Sequence, residues 1–157
     1  WLENSWQGGV WAPRFLSMTC MFQTEVAQRI AAAPGTNDYG RLSVLAGWLT
    51  QARILFDVDR QVFVPPPNVS SSIVHVEPRA RPLAPADPQM LSQVTAAAFG
   101  QRRKMLRASL KKICPSPSDI LAAADIAETK RAEQLEIEEF CTLARLIDDQ
   151  NRQKPAH

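Results

Sequence analysis

Histidine is nearly missing from this chain of 157 residues: there are two, His75 and His157. His157 is in the tail. His75 falls in an expected strand with no second histidine nearby, which favours a structural role for it. No Ser-His-Asp set, metal-ligand cluster or HExxH pattern can be assembled, so the common hydrolase and zinc chemistries lack their residues. Cysteine is scarce too. Cys20, Cys114 and Cys141 are odd in number, widely spaced and without a CxxC pair. This argues against a disulfide framework or a zinc site and fits a reducing cytoplasm. Cys20, inside an apolar run, is expected to be inert. No apolar run reaches the length of a membrane span, and no cationic, apolar, small-residue leader is seen. There is no P-loop and no Gly-rich strand-to-helix turn of the kind that holds a nucleotide cofactor; Gly8-Gly9 is too short and precedes a strand. The first residue is Trp1 rather than Met, and nothing near it resembles the end of a targeting leader, so upstream chain is expected.

What is present is ordinary in bulk and uneven in placement. The apolar fraction of 45% and charged fraction of 22% are those of a globular protein. The length suits one domain or one and a half small ones. The net charge of +2 hides an asymmetry. Residues 1–87 carry seven Arg, seven acids and no Lys; residues 119–157 carry nine acids and five bases. Between them, residues 88–118 carry six bases (Arg102, Arg103, Lys104, Arg107, Lys111 and Lys112) and no acid. A polyanion would land on that block.

Along the chain, Leu2 and Trp6 suit the end of a helix. Phe15–Phe22 is almost continuously apolar or small, which reads as a strand buried on both faces of a parallel sheet, with a buried helix segment as the competing reading. Gln23–Ala33 follows as a helix with Phe22, Val26, Ile30 and Ala33 on one face and Thr24 as a cap. Pro34-Gly35 stops it, Gly35 supplying the left-handed turn. Gly40–Thr50 is a second helix, with Leu42, Leu45, Ala46 and Leu49 on one stripe and Gly47 a slight weakness. Ala52–Val58 alternates, Ile54, Phe56 and Val58 against Arg53, Leu55 and Asp57; Ser72–Glu77 alternates as well, Val74 and Val76 against Ile73, His75 and Glu77. Such strands can pair antiparallel through a long connection.

That connection is the most informative stretch: Phe63-Val64-Pro65-Pro66-Pro67-Asn68-Val69-Ser70-Ser71. Three consecutive prolines cannot lie in a helix or a paired central strand, since each lacks an N–H and fixes φ. Pro65 and Pro66 also push the residues before them into extended geometry. The expectation is a stiff loop of polyproline II type. A rigid loop with an aromatic at its start suits a binding edge; a rigid connector with Phe63 tucked into the core fits the same residues.

Residues 79–88 form a Pro-rich linker that extends and stiffens the chain. It separates residues 1–78 from a helical region at 89–151, followed by a tail at 152–157 expected to fray. The helices are expected at Gln89–Phe99, Gln101–Ile113, Pro117–Ala123 and Ala132–Asn151. In the last, Phe140, Leu143, Ala144 and Ile147 form the apolar stripe. In Gln101–Ile113, at about 100° per residue, Phe99, Leu106, Leu110 and Ile113 share a stripe, with Arg103, Lys104, Arg107 and Lys111 beside it. Such a face can contact several phosphates, with affinity that falls steeply with salt. A solvated cationic face, paired with the acidic terminal region, is the other reading. No aromatic is interleaved, so base stacking by this segment is not suggested. Glu25, just after a strand end, suits either a binding position or a simple acid at a helix N-terminus.

Four blocks, taken in order, resemble one family. They are Met21-Phe22-Gln23-Thr24-Glu25-Val26-Ala27-Gln28-Arg29, then Tyr39-Gly40-Arg41-Leu42-Ser43-Val44, then Phe63–Ser71, then Phe99-Gly100-Gln101-Arg102-Arg103-Lys104-Met105-Leu106-Arg107. In that order and spacing the chain resembles, over about residues 1–147, the ribosomal RNA adenine N6,N6-dimethyltransferases linked to kasugamycin sensitivity. The resemblance implies an α/β fold: the C-terminal part of a Rossmann-like S-adenosylmethionine-dependent methyltransferase sheet, followed by a small all-α domain that binds RNA. It implies methylation of two adjacent adenines of small-subunit rRNA, a cytoplasmic enzyme acting as a monomer, and the small ribosomal particle as partner. The family's Gly-rich cofactor turn, acidic ribose contact and Asn-Leu-Pro-Tyr motif have no match in these residues. S-adenosylmethionine is therefore expected for the intact family enzyme and not for this chain alone. By the same resemblance Phe63 matches the aromatic that stacks on the extruded target adenine. Pro65, Pro67, Val69 and Ser71 match its loop, and Arg102, Arg103, Lys104, Arg107 and Lys111 are the expected rRNA contacts. Arg41 matches a family position without an assigned role. A non-catalytic RNA-binding or ribosome-associated module is the alternative.

Overall fold

The protein is described from a computed structural model that covers residues 6, 7 and 9–153. Trp6 opens a short strand rather than closing a helix: β1 (Trp6–Gln7) pairs antiparallel with β2 (Val10–Trp11). Leu2, Gly8 and His157 lie outside the described residues. The strands β3 (Met18–Gln23), β4 (Thr50–Val58) and β5 (Ser71–Pro78) form an antiparallel sheet in the order β3-β5-β4. Helices α1 (Thr24–Ala31) and α2 (Arg41–Leu49) connect β3 to β4. The remainder is helical: α3 (Pro88–Phe99), α4 (Leu106–Ser109), α5 (Pro117–Ala123) and α6 (Ile137–Gln153). No helix among the described residues is long and apolar enough to cross a membrane.

Two strand expectations need correction. The run at 15–22 predicts a strand buried on both faces in a parallel sheet. The strand forms, but its partner among the described residues is the antiparallel β5, and it alternates between half-buried and exposed. Among the described residues only one face is covered: Ala27 of α1 packs with Val74 and Val76, and Phe22, Ile30 and Ala52 close around them. Met21, on the other face, is exposed. In β4 the expected alternation breaks at a bulge between Ile54 and Phe56. Ile54 pairs with Val74 and Phe56 with Ile73. Successive residues of β5 point to opposite faces, so Ile54 and Phe56 do too. Leu55 and Phe56 are left exposed.

Helix starts follow side-chain chemistry. Asp87 accepts a hydrogen bond from the Met90 N–H at 2.8 Å, with Pro88 in the first turn. Ser43 accepts from the Gly40 N–H at 3.0 Å and donates to the Arg29 carbonyl at 2.6 Å, tying α2 to α1. Thr24 does not cap α1 as expected. It is the first helical residue, and its N–H donates to the Ser70 carbonyl at 3.0 Å. Gly35 has the expected left-handed backbone, φ 82°. The segment Ala132–Gln134 is a short 3-10 turn, so the last helix starts at Ile137 rather than Ala132.

The Pro-rich segment at 79–88 is anchored along its length. The Arg79 N–H donates to the Leu49 carbonyl (2.9 Å) and the Leu83 N–H to the Trp48 carbonyl (2.8 Å). The indoles of Trp11 and Trp48 donate to the carbonyls of Arg79 and Ala84 at 2.8 and 2.7 Å. Arg145 of α6 donates to the Pro85 carbonyl at 2.7 Å. One hydrophobic core then runs across it, from Trp11, Tyr39, Val44, Trp48 and Leu49 to Leu91, Leu106, Leu121, Phe140 and Ile147. Gly47 permits this closeness, because a Cβ there would lie 2.7 Å from Ile137 Cδ1.

Two ionisable groups share that core. Tyr39 is fully buried, packs edge-on to Phe99 and donates to the Leu135 carbonyl at 3.0 Å. Burial, and then the carboxylates of Glu136, Glu138 and Glu139, push its phenol above the usual range. Burial likewise pushes the Cys141 thiol up to about 12, against a lowering by Arg145.

Two outcomes are expected. Both protons are held in the fold at pH values where the unfolded chain has lost them. The stability this contributes is complete below pH 9.0, the ordinary thiol value, and is lost as pH rises towards about 12. Melting temperatures across that range should fall steadily, and a flat profile would show that neither group is protected. Trp48→Ala should cost about 3–5 kcal/mol in urea unfolding. It should also speed trypsin cleavage after Arg79, because the segment loses its indole anchor.

Candidate nucleic-acid interface

The loop between β4 and β5 begins with a side-chain cap. Asp59 accepts from the Gln61 N–H at 2.8 Å and closes one 3-10 turn over Arg60–Val62. The Phe63 N–H completes it by donating to the Arg60 carbonyl at 3.3 Å, and Phe63 itself is extended. The Val64–Pro65 peptide is cis. The loop is therefore a capped turn followed by bends, not the continuous polyproline II stretch its composition predicts. Phe63 is half-buried, while Val62 and Val64 are exposed.

The loop returns at the end of the sheet where β3 gives way to α1. There the Ser70 carbonyl accepts from Thr24 N–H, and Ser72 Oγ donates to Asp57 Oδ1 at 2.6 Å and lies 3.0 Å from Thr24 Oγ1. Phe63, Gln23 and Glu25 thus belong to one end of the sheet. Glu25 is ion-paired with Arg29 one turn on. Further along β5, His75 is a hydrogen-bonded sheet residue: Nδ1 lies 2.8 Å from Thr19 Oγ1 and Nε2 lies 3.0 Å from Glu77 Oε1. It lines a dent of about 100 Å³ with Gln51, Ala52, Arg53 and Glu77.

The basic segment is not the single helix expected over Gln101–Ile113. Residues 101–104 form a turn closed by the Lys104 N–H to the Gln101 carbonyl, at 2.8 Å. Met105 is extended, α4 follows, and Leu110–Lys112 is a 3-10 turn. The cause is tertiary. The Leu106 N–H donates to the Lys130 carbonyl at 2.9 Å, a long-range partner in place of a helical one. The apolar stripe still turns inward: Leu106 and Leu110 are fully buried, and Phe99 and Ile113 pack against the core. Arg102, Arg103 and Lys104 are carried on the turn, Arg107 on α4, and Lys111 and Lys112 on the 3-10 turn; all six are exposed.

These cations are little used inside the molecule. Arg102 donates to the Asn37 carbonyl. Arg107 Nη1 lies 3.9 Å from Glu128 Oε2. The side chains of Arg103, Lys104, Lys111 and Lys112 have no hydrogen-bond or ion-pair partner among the described residues. The acidic terminal region pairs elsewhere, Glu139 with Lys130 and Asp148 with Arg152. Glu128 supplies its one pairing with the basic segment among the described residues. A cleft of about 390 Å³ opens beside that pair, lined by Arg107, Ala108, Lys111, Pro117, Ser118 and Glu128. Sequence reasoning reached Arg107 and Lys111. It missed Ser118 and Glu128, which no local pattern marks and which only the packing of α5 and the segment after it brings close.

A three-stranded sheet end carrying a capped aromatic loop, followed by helices with an exposed cationic surface, is the α/β arrangement of the C-terminal part of a Rossmann-like methyltransferase fold. Among solved structures the chain matches a dimethyladenosine transferase from Plasmodium falciparum, with a TM-score of 0.73 and 23% identity over 88% of this chain and 59% of that one. It also matches the 23S rRNA methyltransferase ErmE, with a TM-score of 0.57 and 26% identity over 87% of this chain and 57% of that one. Residues 4–149 match the family model described as ribosomal RNA adenine dimethylase, and the chain belongs to that family. It is 58% identical to ribosomal RNA small subunit methyltransferase A of Mesorhizobium japonicum, over 87% of this chain and 48% of that protein. It is 57% identical to the protein of that name from Brucella canis, over 85% of this chain and 48% of the relative. The chain spans about half the length of these curated relatives, and the family is the one its four sequence blocks suggest.

Proposed function

We propose that this chain is the RNA-docking portion of a ribosomal RNA adenine N6,N6-dimethyltransferase, a cytoplasmic protein acting on small-subunit rRNA in the small ribosomal particle. The observation that carries the reading is the run of exposed cations at 102–112, four of whose side chains have no partner among the described residues, in a member of this family. In this reading Arg102, Arg103, Lys104, Arg107 and Lys111 bind the phosphate backbone, which fixes register without reading bases. Phe63, on its capped loop, gives a ring for the target adenine to stack on once extruded. Methyl transfer to N6 then depends on placement, since a well-oriented pair of reactants removes much of the barrier.

Neither of the two clefts described above suits S-adenosylmethionine. The larger cleft is lined by Arg107 and Lys111, whose charges oppose a sulfonium cation, and the smaller is only about 100 Å³. The share of the reaction assigned to this chain is therefore holding the RNA. Isothermal calorimetry of the 157-residue chain should show no tight S-adenosylmethionine binding, and a strong saturable heat would overturn that assignment.

A hairpin from the 3′ end of small-subunit rRNA should bind this chain with an affinity that falls steeply with salt. Arg103→Glu and Arg107→Glu should each weaken it and reduce the salt slope by about 1. Wild-type affinity and slope in both variants would sink the docking role. A purely binding module would give the same result but would not support adenine methylation when assayed together with the relatives' remaining portion.

A further inference from the structure

We propose that the cleft beside α4 seats one backbone phosphate of RNA on Arg107, Lys111 and Ser118, and that Glu128 is a built-in brake on that seat. The inference rests on the docking role proposed above and assigns a particular place and a regulator to it.

Arg107 and Lys111 are four residues apart, with Arg107 on α4 and Lys111 on the 3-10 turn that continues it, so both reach the same side. Ser118 of α5 completes the lining from across the cleft. A guanidinium and an ammonium donate hydrogen bonds only, and a hydroxyl can donate one; a phosphodiester's free oxygens only accept. Lys111 and Ser118 have no side-chain partner among the described residues, so their donors are available. The opening, about 390 Å³, takes a phosphate with room for the sugar on either side.

Glu128 is the one acidic side chain in the lining. Its carboxylate stands 3.9 Å from Arg107 Nη1, too far for a hydrogen bond, and both side chains are about half exposed, 56% and 42%. A pair this loose and this wet is weakly held. It puts a carboxylate oxygen on the side of Arg107 that a phosphate oxygen would use. The lining carries two cations and one anion, so an incoming phosphate must compete with Glu128 for Arg107. RNA then binds here with one less effective cationic contact than the sequence supplies, which restrains binding to arbitrary RNA.

The test uses the full 157-residue chain, its melting temperature checked for each variant, and two labelled hairpins of equal length, one from the 3′ end of small-subunit rRNA and one unrelated. Glu128→Gln should tighten both equally and steepen the salt slope by about 0.9. Its advantage over wild type should accordingly be about three- to fourfold larger at roughly 50 mM than at roughly 200 mM salt. Lys111→Gln should weaken both and flatten the slope by a similar amount, and Ser118→Ala should weaken both without changing the slope. Glu77→Gln, which removes an acid on the sheet, should change neither affinity nor slope. Wild-type behaviour of Glu128→Gln and Lys111→Gln, with Arg103→Glu still weakened, would overturn the seat and leave the docking role standing. An effect of Glu77→Gln as large as that of Glu128→Gln would overturn it too, since net charge alone would then explain the change. If Arg103→Glu is also without effect, the docking role fails and the seat with it.

Discussion

Trp48 is held on two sides, and much of the molecule depends on that. Its ring stacks on Trp6 at 5.5 Å, its indole N–H donates to the Ala84 carbonyl, and its own carbonyl accepts from Leu83. The Pro-rich segment at 79–88 forms neither helix nor strand before α3, so its carbonyls must find donors elsewhere, and tryptophan and arginine side chains around it supply three of them. Once the segment is fixed there, α2 lies against both the sheet side and the helices. Gly47, one residue earlier, leaves room for the Ile137 side chain at the start of α6.

In the proposed docking role this arrangement matters because it joins two features that are far apart in sequence. The aromatic loop belongs to the sheet, whose covered face closes on α1 as a cluster of its own, and the cationic turn belongs to the helices, whose core reaches α2; Ser43 ties α2 to α1 between them. The cationic turn is further tied to the sheet side through Arg102 and the Asn37 carbonyl. A surface meant to place one base needs such continuity, since backbone contacts made in one region help placement in another only if the two do not drift. Two carboxylates of α6, Glu139 and Asp148, are engaged by Lys130 and Arg152 and not by the basic segment.

Much of this was legible in the residues. The apolar stripe Phe99, Leu106, Leu110 and Ile113 turned inward as its spacing requires, and the cations beside it turned out. What failed was the assumption that one apolar period means one helix. Leu106 bonds to Lys130, which no local rule foresees, and the helix breaks there. The alternation of β4 misled for a related reason. A bulge at Leu55 shifts the phase by one residue, leaving Phe56 on the open face.

By itself, then, the sequence determined most of the element types, the inward side of α6 and of the stripe at 99–113, the turn at Gly35, the family and the basic block, while the stripe read for α2 missed Val44 and Trp48 and included the exposed Leu42. These depend on residue chemistry and on periods of two and 3.6, which act over a few neighbours. Only the tertiary structure decided that the Pro-rich segment is pinned, that β3 has one covered face, and that the basic block is a turn, a short helix and a 3-10 turn. It alone brought Ser118 and Glu128 to Arg107 and Lys111. Each of these depends on a partner many residues away, and no local period carries the position of a distant carbonyl or carboxylate.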